Sequence, residues 1–361
     1  MPVMAPSFIP GLELSRRFYE EAVRPIIGDL PHTAARIGTG SEVLGFDTAR
    51  SADHEWGPRL QVFLRRQDAG RHARDLVEAL SLKLPKTFHG YPTHFAPAGN
   101  EHVRHMEITD GPVFHRVDVT TLDEWLTGHL GFDPREGVTT RDWLATPAQT
   151  LTEITAGAVF HDPAGELTAV RSRLTWYPEP VWRYVLACQW QRISQEEAFV
   201  GRCGEVGDEL GSAVVAARLV RDLMRLSLLM HRRYPPYSKW LGSAFAVLPF
   251  AATVTPALTG ALAATTWRDR EAHLATAYSA VARLHNRLGL TEPLDPGTRP
   301  YHDRPFRVLH ADRFSQALVA SIGDAGLRDL PLVGAIDQFA DNTDLLGDRA
   351  ATRALTAARF A

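Results

Sequence analysis

The chain has 361 residues, of which 45% are hydrophobic, and its formal net charge is −3. This length suits two domains, each with its own buried core. The small net charge gives no overall basic field, so a long nucleic-acid partner is not expected.

Cellular location is predicted from two features. The cysteines, Cys188 and Cys203, fall in predicted helices and form no metal or redox pattern, which favours a reducing compartment. Residues 1–10 lack a basic region followed by a long apolar one, so no signal peptide is expected. The uncharged run 240–267 could span a membrane by length, but its prolines and its lack of basic anchors favour a buried pair of helices. We therefore predict a cytoplasmic protein without a membrane partner.

The first part of the chain has mixed helix and strand patterns, including Asp110-Gly111, a strong hairpin signal between two strand-like runs. The predicted helices are 12–27, 71–82, 122–130 and 140–144; the predicted strands are 34–37, 60–64, 103–109 and 113–120, with a turn between short strands at 159–167.

Beyond residue 180 the pattern is helical almost throughout. The predicted helices are 181–193, 195–229 and 268–288, with further candidates at 314–321 and 337–346. We therefore predict an α/β (α+β) domain with a short mixed sheet over 1–180, and an all-α helical bundle domain over 181–361.

One stretch of the first domain carries residues suited to phosphate chemistry. Gly40-Ser41 is followed, after a spacer, by Asp53 and Glu55. On a strand, these two carboxylates would project to the same face and could share magnesium ions. Gly40 would let the backbone pass close to a phosphate, and Ser41 would offer a hydroxyl and an amide. The stretch predicts a site for a nucleoside triphosphate and two Mg²⁺ ions.

This pattern resembles the signature of the DNA polymerase beta-like nucleotidyltransferase superfamily, in which Gly-Ser is followed by Asp-x-Asp or Asp-x-Glu. The same stretch continued through 56–59, with the runs 201–212 and 234–240, is similar to a bacterial domain family of unknown function grouped with nucleotidyltransferases.

The superfamily resemblance implies a third carboxylate on a neighbouring strand, with Asp118 favoured and Glu107 as its rival. Pro58 departs from the pattern, because proline cannot donate to a central ladder and the strand must bulge or end there.

The predicted helical domain contributes further candidates. Arg218, Arg221, Arg225 and Arg232 share one helix face and form either a solvated stripe or a wall facing phosphates, with Arg218 and Arg221 preferred. Lys239 would hold a phosphate or extend along a helix start.

Two further features of the helical domain concern its glycines and its acids. The run Gly201, Gly204, Gly207 and Gly211 favours close helix packing over approach to a ligand. Similarity to two-domain antibiotic nucleotidyltransferases implies a general base on the helical side, for which Asp208 or Glu205 is the candidate.

We therefore predict a magnesium-dependent nucleotidyltransferase that moves a nucleoside monophosphate, AMP from ATP, onto a hydroxyl of a small-molecule acceptor and releases pyrophosphate. Asp53, Glu55 and Asp118 would bind the metals, and the helical domain would bind the acceptor. One alternative is a toxin-antitoxin-type transferase acting on RNA or protein. The other is a nucleotide-sensing module that binds without transfer.

Overall fold

The computed structural model describes residues 7–97 and 103–358. The chain divides into two compact units: unit 1 comprises residues 1–137 and 150–175, and unit 2 comprises 138–149 and 176–361. These units differ from the predicted division at 180 mainly in the segment 138–149, which belongs to unit 2. The assignment of two domains stays a prediction.

Unit 1 begins with a helical segment and continues with alternating strands and helices. Its elements up to residue 137 are α1 (Gly11–Phe18), a π-helical turn (Tyr19–Val23), α2 (Arg24–Ile27), β1 (His32–Arg36), a 3₁₀ turn (Ala49–Asp53), β2 (Arg59–Leu64), α3 (Arg66–Lys83), β3 (Thr87–Phe88), β4 (Tyr91–Pro92), β5 (His94–Pro97), β6 (Arg104–Glu107), β7 (Arg116–Thr121) and α4 (Leu122–Leu130).

The next residues alternate between the units. Helix α5 (Thr140–Ala145) belongs to unit 2, and α6 (Ala148–Thr155) begins in unit 2 and ends in unit 1. Strand β8 (Ala158–His161) and α7 (Glu166–Leu174) return to unit 1. The turn predicted at 159–167 therefore joins a strand to a helix, not two strands.

A four-stranded mixed sheet organises unit 1, in the order β7-β2-β1-β8. Strand β1 is antiparallel to both β2 and β8, whereas β2 and β7 run parallel. The register places Gln61 of β2 between Ala35 of β1 and Asp118 of β7. Apolar side chains of α1, α3 and the sheet, among them Leu14, Leu80 and Val62, form one buried core. The strands predicted at 34–37 and 60–64 are confirmed, each displaced by one or two residues.

The hairpin predicted through Asp110-Gly111 is wrong. Strand β6 pairs antiparallel with β5, and β7 pairs parallel with β2, so the two strands flanking this turn belong to different sheets. Tertiary pairing overrides the local turn preference here, because β7 carries the buried Val117 and completes the core sheet, whereas β6 is only partly buried. Of the two rival carboxylates, Asp118 consequently lies beside β2 and Glu107 does not.

Unit 2 is mainly helical, as predicted, but not all-α. Its elements after residue 175 are α8 (Glu179–Glu196), α9 (Phe199–Glu205), α10 (Glu209–Met230), α11 (Ser238–Ala246), α12 (Ala251–Ala263), α13 (Trp267–Arg287), β9 (Arg299–Tyr301), β10 (Arg304–Val308), α14 (Asp312–Ala320), α15 (Ala325–Arg328), α16 (Ile336–Phe339), α17 (Thr343–Gly347) and α18 (Arg349–Ala357). The antiparallel hairpin of β9 and β10 was not predicted. The helix candidate at 337–346 is two short helices, α16 and α17.

The uncharged run 240–267 forms most of α11, all of α12 and the first residue of α13, which confirms the predicted helical pair. In the described part of the chain, no helix has the length and apolar character to cross a membrane.

Two glycines of α9 allow close packing in unit 2. Added Cβ atoms at Gly201 and Gly204 would overlap the rings of Phe306 and Trp267, respectively. Both rings are buried. The absence of side chains at these positions therefore lets α9 contact its neighbours, and the packing interpretation of the glycine run is confirmed for these two residues.

We expect Gly204→Ala to lower the free energy of unfolding by about 1–3 kcal/mol, because the new methyl group overpacks the contact with Trp267. Urea denaturation monitored by circular dichroism measures this loss. The matched control is Gly242→Ala in α11, where an added Cβ meets nothing within 4 Å. That substitution should raise stability by about 0.5–1 kcal/mol, since alanine favours a helix interior. Equal effects of the two substitutions would contradict the packing role.

Candidate anion-binding cleft

A buried carboxylate joins the turn after β1 to strand β2. Glu42 Oε1 accepts hydrogen bonds from Arg36 Nε and Arg59 Nε, both at 2.9 Å. The terminal nitrogens of the same two arginines lie 2.7 and 2.8 Å from this oxygen. The guanidinium group of Arg36 also donates to the carbonyl oxygens of Ile37 and Thr39. This arrangement, which we call the Glu42 cluster, fixes the turn 37–42 against the sheet.

The charges of the Glu42 cluster alter its pKa values. Burial alone would raise the pKa of Glu42, but the guanidinium groups of Arg36 and Arg59 outweigh it and hold the pKa below its usual range. Burial, with Arg59 nearby, lowers the pKa of Arg36 to about 10. Glu42 and Arg36 are therefore both ionised at neutral pH.

The Glu42 cluster forms the floor of a cleft in unit 1. The cleft has a volume of about 500 Å³. Its polar walls carry the side chains of Arg36, Arg59, Gln61, Arg104, His115, Arg116, Asp118 and His129, with Phe114 and Trp125 as aromatic members. Four arginines against one carboxylate give the walls a positive charge, which suits an anionic ligand.

The predicted metal ligand Glu55 lies beside this cleft and is occupied by arginines. Its Oε2 accepts a hydrogen bond from Arg116 and lies 3.6 Å from Arg59 Nη1. Its Oε1 accepts from the backbone N–H of Arg104 at 3.0 Å. Glu55 thus positions arginines of the cleft wall.

The strand predicted for Asp53 and Glu55 is wrong. Asp53 ends a 3₁₀ turn, its side chain is 61% exposed, and it contacts His54. Glu55 has a positive φ of 44°. Gly57 adopts φ 139°, which also departs from the strand conformation. Between these two residues, Trp56 is buried and its indole N–H donates to Asp47. Strand β2 begins only after Pro58, at Arg59.

Asp118 is the one predicted metal ligand that lines the cleft. Its side chain is exposed there, and partial removal of water by the cleft walls raises its pKa, an effect that Arg116 opposes. The adjacent position of β2 holds Gln61, whose amide exchanges hydrogen bonds with the backbone of Ile37 at 3.1 Å.

These residues do not fit a pair of magnesium ions. Within residues 7–97 and 103–358, no three His, Cys, Asp or Glu side chains are grouped as a metal site. A two-ion site needs several carboxylate oxygens directed at one point. The cleft lining instead has one carboxylate and four arginines. The predicted pair of Mg²⁺ ions therefore stays a prediction, and this lining does not favour it.

The glycine-serine turn directly follows Gly38 and Thr39, which line the cleft. Gly40 has φ 149°, and a Cβ there would meet Glu42, Arg36 and Arg59 within 2.7 Å. Glycine is therefore required by the Glu42 cluster, independently of any phosphate. Ser41 is half-buried in the following turn, where its carbonyl oxygen accepts a hydrogen bond from Phe46.

The predicted site residues of unit 2 have structural partners. Arg218 pairs with Glu196 at 2.6 Å, and Arg221 lies 3.3 Å from Asp341. Lys239 Nζ lies 5.0 Å from the ring centre of Trp240.

The candidate bases of unit 2 are also engaged. Asp208 caps α10 by accepting from the Gly211 N–H, and Glu205 pairs with Arg304 at 3.2 Å. Their predicted roles in catalysis stay predictions.

Sequence reasoning missed Glu42, Arg36, Arg59, Arg104 and Arg116, which build the cleft. The available clue was a charged residue among apolar strand residues, since Arg36 lies within the predicted strand 34–37 and Arg59 directly precedes the predicted strand 60–64. Nothing in the local pattern of Arg104 or Arg116 separates them from ordinary surface arginines.

One region of the chain matches a known protein family. Residues 143–241 match a family described as a domain of unknown function (DUF4037). This match includes the runs 201–212 and 234–240 but not the stretch 40–59. No curated protein matches the chain.

One solved structure is similar over most of both chains. It is a nucleotidyltransferase-like protein from Exiguobacterium sibiricum 255-15, with 12% sequence identity, a TM-score of 0.33, and coverage of 88% of this chain and 91% of that one. A TM-score this low does not establish a shared fold.

We expect Glu42→Gln to lower the free energy of unfolding by about 3–5 kcal/mol at pH 7, because two buried arginines lose their counter-charge. The folded-state pKa of Glu42 is depressed, so its contribution is present above the unfolded value of about 4.3 and lost as pH falls through the folded pKa. The difference between wild type and variant should therefore shrink in acid. Denaturant titrations at pH 7 and pH 3.5 measure both effects.

The control for this prediction is Glu78→Gln on the exposed side of α3, which should change stability by no more than about 0.5 kcal/mol. A Glu42→Gln variant as stable as this control at pH 7 would contradict the role of the Glu42 cluster.

Proposed function

We propose that the chain is a nucleotidyltransferase-type protein that binds a nucleoside triphosphate, with ATP as the expected donor, in the arginine cleft of unit 1. The observation that carries the proposal is the set of four arginine side chains that line the cleft. Arg104 and Arg116 are partly exposed and would contact the phosphates directly. Arg36 and Arg59 are buried and would contribute mainly their electrostatic field.

The proposed reaction transfers the nucleoside monophosphate to a hydroxyl of a small-molecule acceptor. The hydroxyl oxygen forms a bond to the α-phosphorus, the bond from that phosphorus to the bridging oxygen breaks, and pyrophosphate leaves. The proton of the hydroxyl passes to a base. Asp118 is the carboxylate of the cleft, and its raised pKa suits proton acceptance. This proposal does not depend on Arg218, Arg221 or Lys239.

A second candidate function is nucleotide binding without transfer. The observation that favours it is the placement of the two other predicted catalytic acids. Asp53 lies at the surface, and Glu55 is held by Arg116 and Arg59. A protein that only senses a nucleotide needs the arginines and not the acids.

We expect Arg116→Gln to weaken ATP binding by about 10-fold or more, because a charge-assisted hydrogen bond to phosphate is lost. Isothermal titration calorimetry with ATP, with and without magnesium chloride, measures this change. The control is Arg66→Gln in α3, whose side chain is 90% exposed and which should bind ATP within about 2-fold of wild type. If the wild type does not bind ATP at millimolar concentration, or if Arg116→Gln binds as well as wild type, the binding site is wrong.

A separate measurement distinguishes transfer from binding. We expect pyrophosphate release when the protein is incubated with ATP and pooled hydroxyl-bearing metabolites, and a decrease of about 100-fold or more in Asp118→Asn as its general base is lost. Mass spectrometry of the pool identifies the adduct. Asp110→Asn, in an exposed turn, is the control and should keep the wild-type rate. ATP binding without pyrophosphate release from the wild type would instead favour the nucleotide-sensing function.

A further inference from the structure

A second polar pocket lies entirely within unit 2. It has a volume of about 390 Å³ and is lined by α8, α10 and the segment 337–341. We call it the unit 2 pocket. Its volume is within the range of small-molecule sites, about 300–1,000 Å³. Phe339 and Ala340 are its only apolar lining residues among those described, so a ligand would meet charged groups on most sides.

Helix geometry explains why arginines converge on the unit 2 pocket. Arg218, Arg221 and Arg225 are separated by three and four positions along α10 and so lie on one face. Arg192, from the last turns of α8, supplies a fourth guanidinium group to the same space. Three aspartates line the pocket with them, which leaves the lining with one excess positive charge.

The four arginines differ in how well they are paired. Arg225 donates to both the side chain and the backbone of Asp337 at 2.8 Å, and both side chains are largely buried. That pair closes one side of the pocket as a structural element. Arg218 is half exposed and pairs with Glu196, which does not line the pocket.

Arg192 and Arg221 have only long contacts with carboxylates, and Arg192 Nη1 donates to the Gln338 carbonyl oxygen at 2.9 Å. Arg192 lies 3.4 Å from Asp222, and Arg221 lies 3.3 Å from Asp341 and 3.8 Å from Asp222. Charge-assisted hydrogen bonds are usually about 2.7–2.9 Å. The Asp341 side chain is 82% exposed, so its ion pair with Arg221 contributes little and is readily exchanged.

Two buried polar atoms at this pocket face each other without a hydrogen bond. Arg221 Nε and Asp222 Oδ1 lie 3.8 Å apart, neither has a hydrogen-bond partner among the described residues, and the Asp222 side chain is 2% exposed. Their separation is too long for a hydrogen bond, so the Arg221 guanidinium group is only weakly held by carboxylates.

We infer that the unit 2 pocket is a binding site for a small phosphate-bearing molecule, with Arg192 and Arg221 as the anion ligands and Arg218 at its rim. The planar guanidinium groups match two oxygens of a phosphate, and in this site the phosphate replaces Asp341 as the partner of Arg221. This site is additional to the triphosphate cleft proposed for unit 1. The shared chemistry is a phosphate group, carried either by inorganic phosphate or by a phosphorylated metabolite.

Calorimetry on the full chain tests the site with inorganic phosphate and, in a second arm, ribose 5-phosphate. Hydrogen exchange measured by mass spectrometry locates the binding, since either ligand should protect peptides covering 218–225 and 336–341 in wild type. Arg221→Gln should weaken the binding located there by about 10- to 100-fold. Asp341→Asn should strengthen it several-fold, by removing the competing carboxylate.

Tighter binding of ribose 5-phosphate would identify a metabolite as the ligand class, and tighter binding of inorganic phosphate would identify the free anion.

Arg283→Gln, on the exposed side of α13, is the matched control and should bind as wild type. Circular dichroism establishes that each variant is folded, and Arg192→Gln replaces Arg221→Gln if the latter is not. The inference is overturned if neither ligand protects these peptides, or if a folded Arg221→Gln or Arg192→Gln variant keeps wild-type protection. Unchanged affinity in Asp341→Asn would overturn the role of Asp341 as the displaced group.

Discussion

The ion pairs of Glu42 with Arg36 and Arg59 are the interaction on which the cleft of unit 1 depends. One carboxylate oxygen receives hydrogen bonds from both guanidinium groups, and Arg36 passes further hydrogen bonds to the turn that follows β1. A buried pair of this kind contributes little net stability but is costly to break. Its effect is therefore to select one conformation of the turn, and Gly40 must be glycine because a side chain would occupy the same space.

The Glu42 cluster also influences the acids that follow it in the chain. Arg59 is shared between Glu42 and Glu55, and Arg116 completes the contact with Glu55. Once Glu55 has these partners, it supports the positive wall of the cleft, while Asp53 stays in water. The two carboxylates of the Asp-x-Glu motif therefore lie in different environments, Glu55 between arginines and Asp53 at the surface. A metal site formed by both would require Glu55 to leave two arginines.

Periodicity and turn chemistry predicted most helices and the two central strands, because these elements bury continuous apolar residues. The short elements were less predictable. Pairing of β7 with β2 depends on residues far apart in sequence, so the local turn at Asp110-Gly111 suggested the wrong partner. The departure at Pro58 did indicate that the strand was interrupted, and β2 begins directly after it. Asp118 was favoured as the acid on a neighbouring strand, and it does lie next to Gln61 of β2.

The preference of this chain for arginine has a physical reason in both units. Only three of its 39 basic residues are lysines. Burial lowers the pKa of Arg36 to about 10, which still leaves it charged at neutral pH. A lysine starts from a lower pKa and loses its charge more readily on burial. A lysine at position 36 also could not donate from several nitrogens in one plane to Glu42, Ile37 and Thr39. In unit 2, Arg225 likewise uses its planar group to donate to both the side chain and the backbone of Asp337.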